Sequence, residues 1–236
     1  MSLSHAMQAM ILAAGRGERL RPFTDHTPKP LLKVRGIPLI VWHIKNLRAA
    51  GVREIVINHA HLGYMVEREL GDGQALGVSI IYSHEPEALE TAGGIANALH
   101  LLKPEPFLVV NGDVFTDFDF SRIYTVDMTR ASAHLVLVDN PQHNPAGDFA
   151  LQGSFVHLQG EPMLTFSGMA IYRPEFFKDV RVGEKAKLSP LLRAAIQEQP
   201  VSGEYYGGVW MDVGTPQRLA QLNSEAQWMP AKSSAQ

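Results

Sequence analysis

The chain has 236 residues, 45% of them apolar and 19% charged, with no cysteine and a near-balanced formal charge of −3. That length and apolar content suit one large globular domain and exclude disordered and fibrous classes, while the absence of cysteine excludes disulfide scaffolds, thiolate catalysis and cysteine-held metal sites. The charge balance excludes a general nucleic-acid or acidic-membrane binder, and no apolar run reaches the roughly 20 residues of a membrane-spanning helix.

Residues 1–6 read as a leader outside the folded domain and lack the basic and apolar features of a secretory signal, so a cytoplasmic protein is expected. The short apolar run Ala9–Ala14 before Gly15 suits a strand buried on both faces. After a basic loop, Leu39, Ile40, Trp42, His43, Ile44 and Leu47 have helical spacing, stopped by Gly51. Glu54–Asn58 predicts a second strand, Tyr64–Leu70 a helix closed by Gly71, and Val78–Tyr82 a third strand. Thr91 is placed to cap a helix reaching Leu102, and Phe107–Asn111 predicts a fourth strand. This alternation predicts a Rossmann-like, doubly wound α/β fold: a mostly parallel mixed sheet with helices on both faces. Shorter β-like segments follow at 133–138, 149–151, 155–158, 169–172 and 209–213, with one helix near 188–197, and predict a smaller lobe completing the same sheet. Thr215 and Pro216 open a last helix reaching about Trp228, and 229–236 read as a disordered tail.

Positive charge gathers in one place. Residues 16–35 carry Arg16, Arg19, Arg21, Lys29, Lys33 and Arg35 against Glu18 and Asp25, a local +4 that leaves −7 elsewhere. Charge alone would suit a solvated loop; beside glycines it points to a small polyanion such as a nucleotide. The segment Leu12–Leu20 is not a dinucleotide fingerprint, which needs glycine where Leu20 stands, nor a P-loop, which ends in Gly-Lys-Ser/Thr. Gly15 and Gly17 still leave backbone N–H groups free to wrap phosphate oxygens, and Arg19 adds a two-pronged donor. In Pro28-Lys29-Pro30 two prolines stiffen the backbone around a lysine. Two carboxylates have the chemistry of Mg2+ ligands: Asp113, just beyond the fourth strand, and Asp212, inside the apolar run Val209–Val213, where a lone charge is costly. Asp113 also suits a plain turn; Asp117 is an alternative ligand, and Asp119 suits a helix cap. His59 and His61 read as polar loop residues rather than metal ligands.

The glycine loop with Arg19, the Pro28-Lys29-Pro30-Leu31 run, Asn111-Gly112-Asp113 and Trp210-Met211-Asp212-Val213-Gly214-Thr215-Pro216 together resemble the sugar-phosphate nucleotidyltransferase family, over almost the whole chain. The resemblance implies Mg2+-dependent nucleotidyl transfer from UTP to a sugar 1-phosphate, with no nucleic-acid or membrane partner. It implies a nucleotide-binding part at about 7–132 and a sugar-binding part at about 133–228. By match, Leu12, Ala13, Ala14, Gly15, Gly17, Glu18, Arg19 and Lys29 hold the nucleotide, Glu85, Ala92 and Gly93 read its base, and Asn111, Gly147, Ser167 and Gly168 line the sugar site. Arg19, Lys29 and Asp113 are implied to be catalytic, and Asp113 and Asp212 to hold the metal.

Two departures stand out from the family pattern. Gly160-Glu161-Pro162 lacks the lysine that many members carry between Glu and Pro, and Glu90 stands where GTP-using, mannose-type members carry glycine. The short chain and Leu89-Glu90-Thr91-Ala92-Gly93-Gly94 are nearest to members that activate an N-acetylated, lactyl-bearing cell-wall sugar. A guanylyltransferase and a non-catalytic nucleotide-sugar sensor are the alternatives. An acidic sugar should meet a cation, for which Lys185, Lys187 and His143 are the candidates.

Overall fold

The computed structural model describes residues 7–224; the expected leader 1–6, the tail 229–236 and the end of the last helix at Trp228 lie outside them. The strands and α-helices are β1 (Ala9–Leu12), β2 (Lys33–Val34), β3 (Ile37–Pro38), α1 (Leu39–Ala49), β4 (Glu54–His59), α2 (Gly63–Leu70), β5 (Ser79–His84), α3 (Glu90–Ala98), β6 (Phe107–Asn111), β7 (Val114–Thr116), β8 (Ala133–Val138), β9 (Phe149–Gln152), β10 (Phe155–His157), β11 (Met163–Tyr172), α4 (Leu188–Glu198), β12 (Ser202–Tyr205), β13 (Trp210–Asp212) and α5 (Pro216–Ser224). Nine strands form one mixed sheet in the order β5-β4-β1-β6-β11-β8-β12-β10-β9. The first four are parallel, β11 runs antiparallel to β6, and β7 pairs with β13 in a separate two-stranded ribbon. This is the expected Rossmann-like α/β fold, with β8 to β12 extending the same sheet; the 209–213 segment, expected to join it, instead pairs with β7 outside it.

Alternation between two covered faces explains why the middle of each central strand is an unbroken apolar run, as in Ile55–Ile57 and Phe107–Val110. Ile11, Ile57 and Val110 pack on one face under Ile40, Ile44 and Leu47 of α1. Met10, Val56 and Val109 face the other way, toward Ile95 and Ala96 of α3 and Leu192 of α4. The helices closed by Gly51 and Gly71 are found where the sequence places them.

Three local expectations are corrected. The third helix begins at Glu90, so Thr91 lies inside its first turn and does not cap it; the cap is a carbonyl, since Ala92 and Gly93 both donate their N–H to Ala186 C=O at 3.0 and 3.1 Å. β11 begins at Met163, well before residue 169, because a register shift between Phe166 and Ala170 lets one strand serve several partners. His59 is a buried end of β4 rather than a loop residue, with Nε2 2.7 Å from Glu67 Oε1. Asp119 does cap the turn after it, accepting from Ser121 N–H at 2.9 Å.

Candidate active site

The site starts where the ends of β1 and β6 meet. Gly112 N–H donates to Leu12 C=O at 2.8 Å, and a Cβ on Gly112 would lie only 2.7 Å from that oxygen. Beyond this junction opens a cavity of about 330 Å³, lined by the loop from Leu12 to Gly17, by Lys29 and Pro30, and by Asn111, Gly112 and Asp113. The carboxyl ends of parallel strands thus carry the site, as such sheets favour.

The two loop glycines differ. Nothing lies within 4 Å of where a Gly15 Cβ would stand, whereas Gly17 has φ +72° and a Cβ there would meet Thr24 Cγ2 at 2.8 Å. Thr24 Oγ1 donates to Gly17 C=O at 2.9 Å and fixes the bend. Arg16, between the glycines, donates to Thr24 C=O at 2.8 Å and to Asp25 Oδ1 at 3.1 Å, and lines the cavity. Of the expected nucleotide contacts, Glu18 and Arg19 do not line it. Glu18 pairs with Arg16 and Arg21 on the outer side. Arg19 Nη2 instead reaches to 2.9 Å from where a Gly214 Cβ would be, close over Asp212.

Lys29 opens a short 3-10 turn between Pro28 and Pro30, is 8% exposed, and puts Nζ 2.5 Å from Asp113 Oδ2. A buried ammonium needs such a partner, and this one is aimed into the cavity. The β7–β13 ribbon brings the distant acidic segments together: Asp212 stands opposite Val114, and Val213 N–H donates to Asp113 C=O at 2.7 Å. Their side chains are held separately. Asp113 faces the glycine-loop cavity, whereas Asp212 lines a neighbouring one, with Arg218 on Oδ2 and His143 3.2 Å from Oδ1. As hard oxygen donors at the junction of two strands, both have the chemistry of Mg2+ ligands, and each already holds a cation that a metal would share or displace: Lys29 on Asp113 Oδ2, and Arg218 with His143 on Asp212. Asp117 does not serve as the alternative: its Oδ1 accepts from Val209 N–H at 2.8 Å and from Tyr206 Oη.

Behind β7, His43 of α1 is fully buried beside the Val114 backbone. Burial pushes its pKa down to about 4, against the opposing pull of Val114 and Asp113.

The base-contact expectation is revised. Glu85 is 1% exposed and both oxygens are engaged, one by Asn58 Nδ2 at 2.7 Å and the other by Leu89 N–H at 2.8 Å. Asn58 Oδ1 in turn accepts from Ala13 N–H at 2.9 Å, so Glu85 braces the glycine loop through Asn58. The N–H groups of Ala92 and Gly93 are taken up by Ala186, and Ala88, Glu90 and Thr91 line the cavity in their place.

A second cavity of about 300 Å³ shares Glu90, Thr91 and Asn111 with the first and adds Asp148, Phe149, Phe166 and Lys187. Asn111 thus stands between the two. Gly168, at φ +79°, makes room for it, since a Cβ there would lie 2.5 Å from Asn111 Nδ2. Ser167 is spent on the β11 bulge, donating Oγ to Val136 C=O at 2.6 Å. Gly147, at φ +67°, turns tightly against the Leu164 backbone. Of the expected sugar-site residues only Asn111 lines the two cavities; Gly147, Ser167 and Gly168 do not. Sequence reasoning gave no site role to Arg16, Asn58, Ala88 and Thr91. The signal for Asn58 was its place at the end of β4, beside β1, and for Arg16 its position between the two glycines.

Comparison with known proteins identifies the family. The profile of the nucleotidyl transferase family matches residues 8–153. The chain is 56% identical to the N-acetylmuramate alpha-1-phosphate uridylyltransferase of Neisseria meningitidis serogroup B, over 93% of this chain and 98% of that one. It is 29% identical to the mannose-1-phosphate guanylyltransferase catalytic subunit beta of Drosophila pseudoobscura pseudoobscura, over 91% of this chain but 61% of that one. Among solved structures, the inositol-1-phosphate CTP transferase of T. maritima superposes with a TM-score of 0.76 at 19% identity, over 94% of this chain and 96% of that one. Glycine loop, buried lysine and strand-end carboxylate therefore share one cavity in a chain that belongs to the nucleotidyl transferase family.

Proposed function

We propose that the protein transfers a uridylyl group from UTP to N-acetylmuramic acid α-1-phosphate, releasing pyrophosphate and forming a UDP-sugar in cell-wall recycling. The observation that carries the chemistry is the Lys29–Asp113 pair in the glycine-loop cavity. The Neisseria relative, matched nearly end to end, narrows donor and acceptor. The mannose-type relatives are more distant and longer, which makes GTP the weaker reading.

An oxygen of the sugar phosphate attacks the α-phosphorus of UTP while the bond to pyrophosphate breaks. That oxygen is already a competent nucleophile at neutral pH, so no covalent enzyme intermediate is needed, and catalysis rests on alignment and charge neutralisation. The loop N–H groups from Ala14 to Gly17 and the Arg16 guanidinium take the phosphates, with Gly15 leaving space for them. Lys29 neutralises charge on the transferred group. Arg19, over the Asp212 turn, closes the outer side. Mg2+, when bound at Asp113 and Asp212, would offset further triphosphate charge. Ala88 and Thr91 lie where the base can approach, and Asn111 holds the sugar phosphate between the cavities. The nucleotide part corresponds to about 7–132 and the sugar part to about 133–228, and the work is done in the cytoplasm, where UTP is made.

Pyrophosphate release across four nucleoside triphosphates and several sugar 1-phosphates tests the reading. The expected result is turnover with UTP and the muramic acceptor. A preference for GTP with mannose 1-phosphate would replace it, and nucleotide binding without pyrophosphate release would make the protein a sensor.

A further inference from the structure

We propose that Lys187 recognises the acidic substituent of the acceptor sugar, binding its carboxylate from the wall of the second cavity; this rests on the muramic reading above. The structure separates the three candidate cations. Lys185 turns to Glu87 at 2.7 Å on the exposed surface, and His143 faces Asp212 at 3.2 Å. Lys187 lines the second cavity and, among the described residues, makes no ion pair there and is the one cation on its wall.

The backbone builds its place. Ala92 and Gly93 donate to Ala186 C=O, and Ala186 N–H donates to Leu89 C=O at 3.0 Å. Gly93 permits this clamp, because a Cβ there would lie 2.4 Å from Glu184 C=O. Lys187, next in the chain, is thereby set beside Glu90 and Thr91, the wall shared with the nucleotide cavity. The other walls sort the rest of the sugar. Phe149, Phe166 and Leu192 suit ring carbons and methyl groups, whereas Glu90 and Asp148 accept from hydroxyls and would repel a carboxylate. Preference for an acid over a neutral sugar therefore falls to Lys187.

The test measures pyrophosphate release with N-acetylmuramic acid 1-phosphate and with N-acetylglucosamine 1-phosphate, which lacks the lactyl acid. Where the neutral acceptor turns over slowly, it is read as a competing ligand. Lys187→Gln should raise KM for the acidic acceptor about tenfold to a hundredfold, the scale of one charge-assisted contact. Affinity for UTP and for the neutral acceptor should hold, and Lys187→Arg should recover most of the loss. No change, or an equal loss for both acceptors, overturns the proposal; the latter would put Lys187 on the phosphate. A wild-type protein that prefers the neutral acceptor defeats the sugar assignment itself and this proposal with it, a failure visible before any variant is made.

Discussion

Gly15 and Gly17 stand two positions apart and are glycines for different reasons. Gly17 is required by a left-handed backbone and by Thr24 beneath it; Gly15 has neither constraint and opens onto empty space. Gly15→Ala should therefore leave the melting temperature unchanged while raising KM for UTP by about tenfold or more, because its methyl occupies room that phosphate needs. An unchanged KM would mean that the phosphates lie elsewhere. Lys29→Ala removes a buried cation aimed at the reacting groups, and kcat should fall by about 10²-fold or more. Near-normal kcat in that variant would strip Lys29 of its role. Both positions were legible in the sequence, since glycine spacing and flanking prolines are local signals. Glu85 was not, because whether a carboxylate faces a ligand or braces a loop depends on Asn58, 27 residues away.

Elements impose the next constraints. β1 and β6 close on each other at Gly112, and Gly112→Ala would force Leu12 C=O away. We expect a loss of about 1–3 kcal/mol in chemical denaturation, with weaker UTP binding as the strand ends part. Helix α1 docks on β7 through neutral His43, whose folded pKa of about 4 lies below the ordinary 6.5. The unfolded chain thus takes up this proton first as acid is added. The contribution of neutral His43 is complete above about pH 6.5 and disappears as the pH falls toward 4, a loss of at most about 3 kcal/mol. His43→Leu should flatten that part of the stability profile measured by denaturation at stepped pH, whereas an unaltered slope would assign it to other groups. The central strands were readable because burial on both faces leaves an unbroken apolar run; the short β7 and β12 carry no such run and were not. The start of α3 was not, because its cap is a carbonyl from Ala186, some ninety residues onward, which leaves no mark in the local sequence.

Across the whole molecule, charge is segregated: residues 16–35 carry +4 and the remainder −7. An anionic nucleotide is drawn to one rim and repelled from the rest, so KM for UTP should rise with salt concentration while the melting temperature changes little. A KM insensitive to salt would show that short-range contacts alone capture the nucleotide. The fold class followed from the order of elements, yet the pairing of Asp113 with Lys29 could only be guessed, because neither residue signals a partner 84 positions away. The β7–β13 ribbon has one more implication, for the order in which the protein comes into being. Glycine loop, lysine and first carboxylate leave the ribosome early, but Val213 is needed to clasp the Asp113 carbonyl. A nascent chain therefore holds an unfinished centre until the segment carrying Val213 has emerged, and nucleotide turnover should be acquired with that segment rather than gradually as the earlier elements appear.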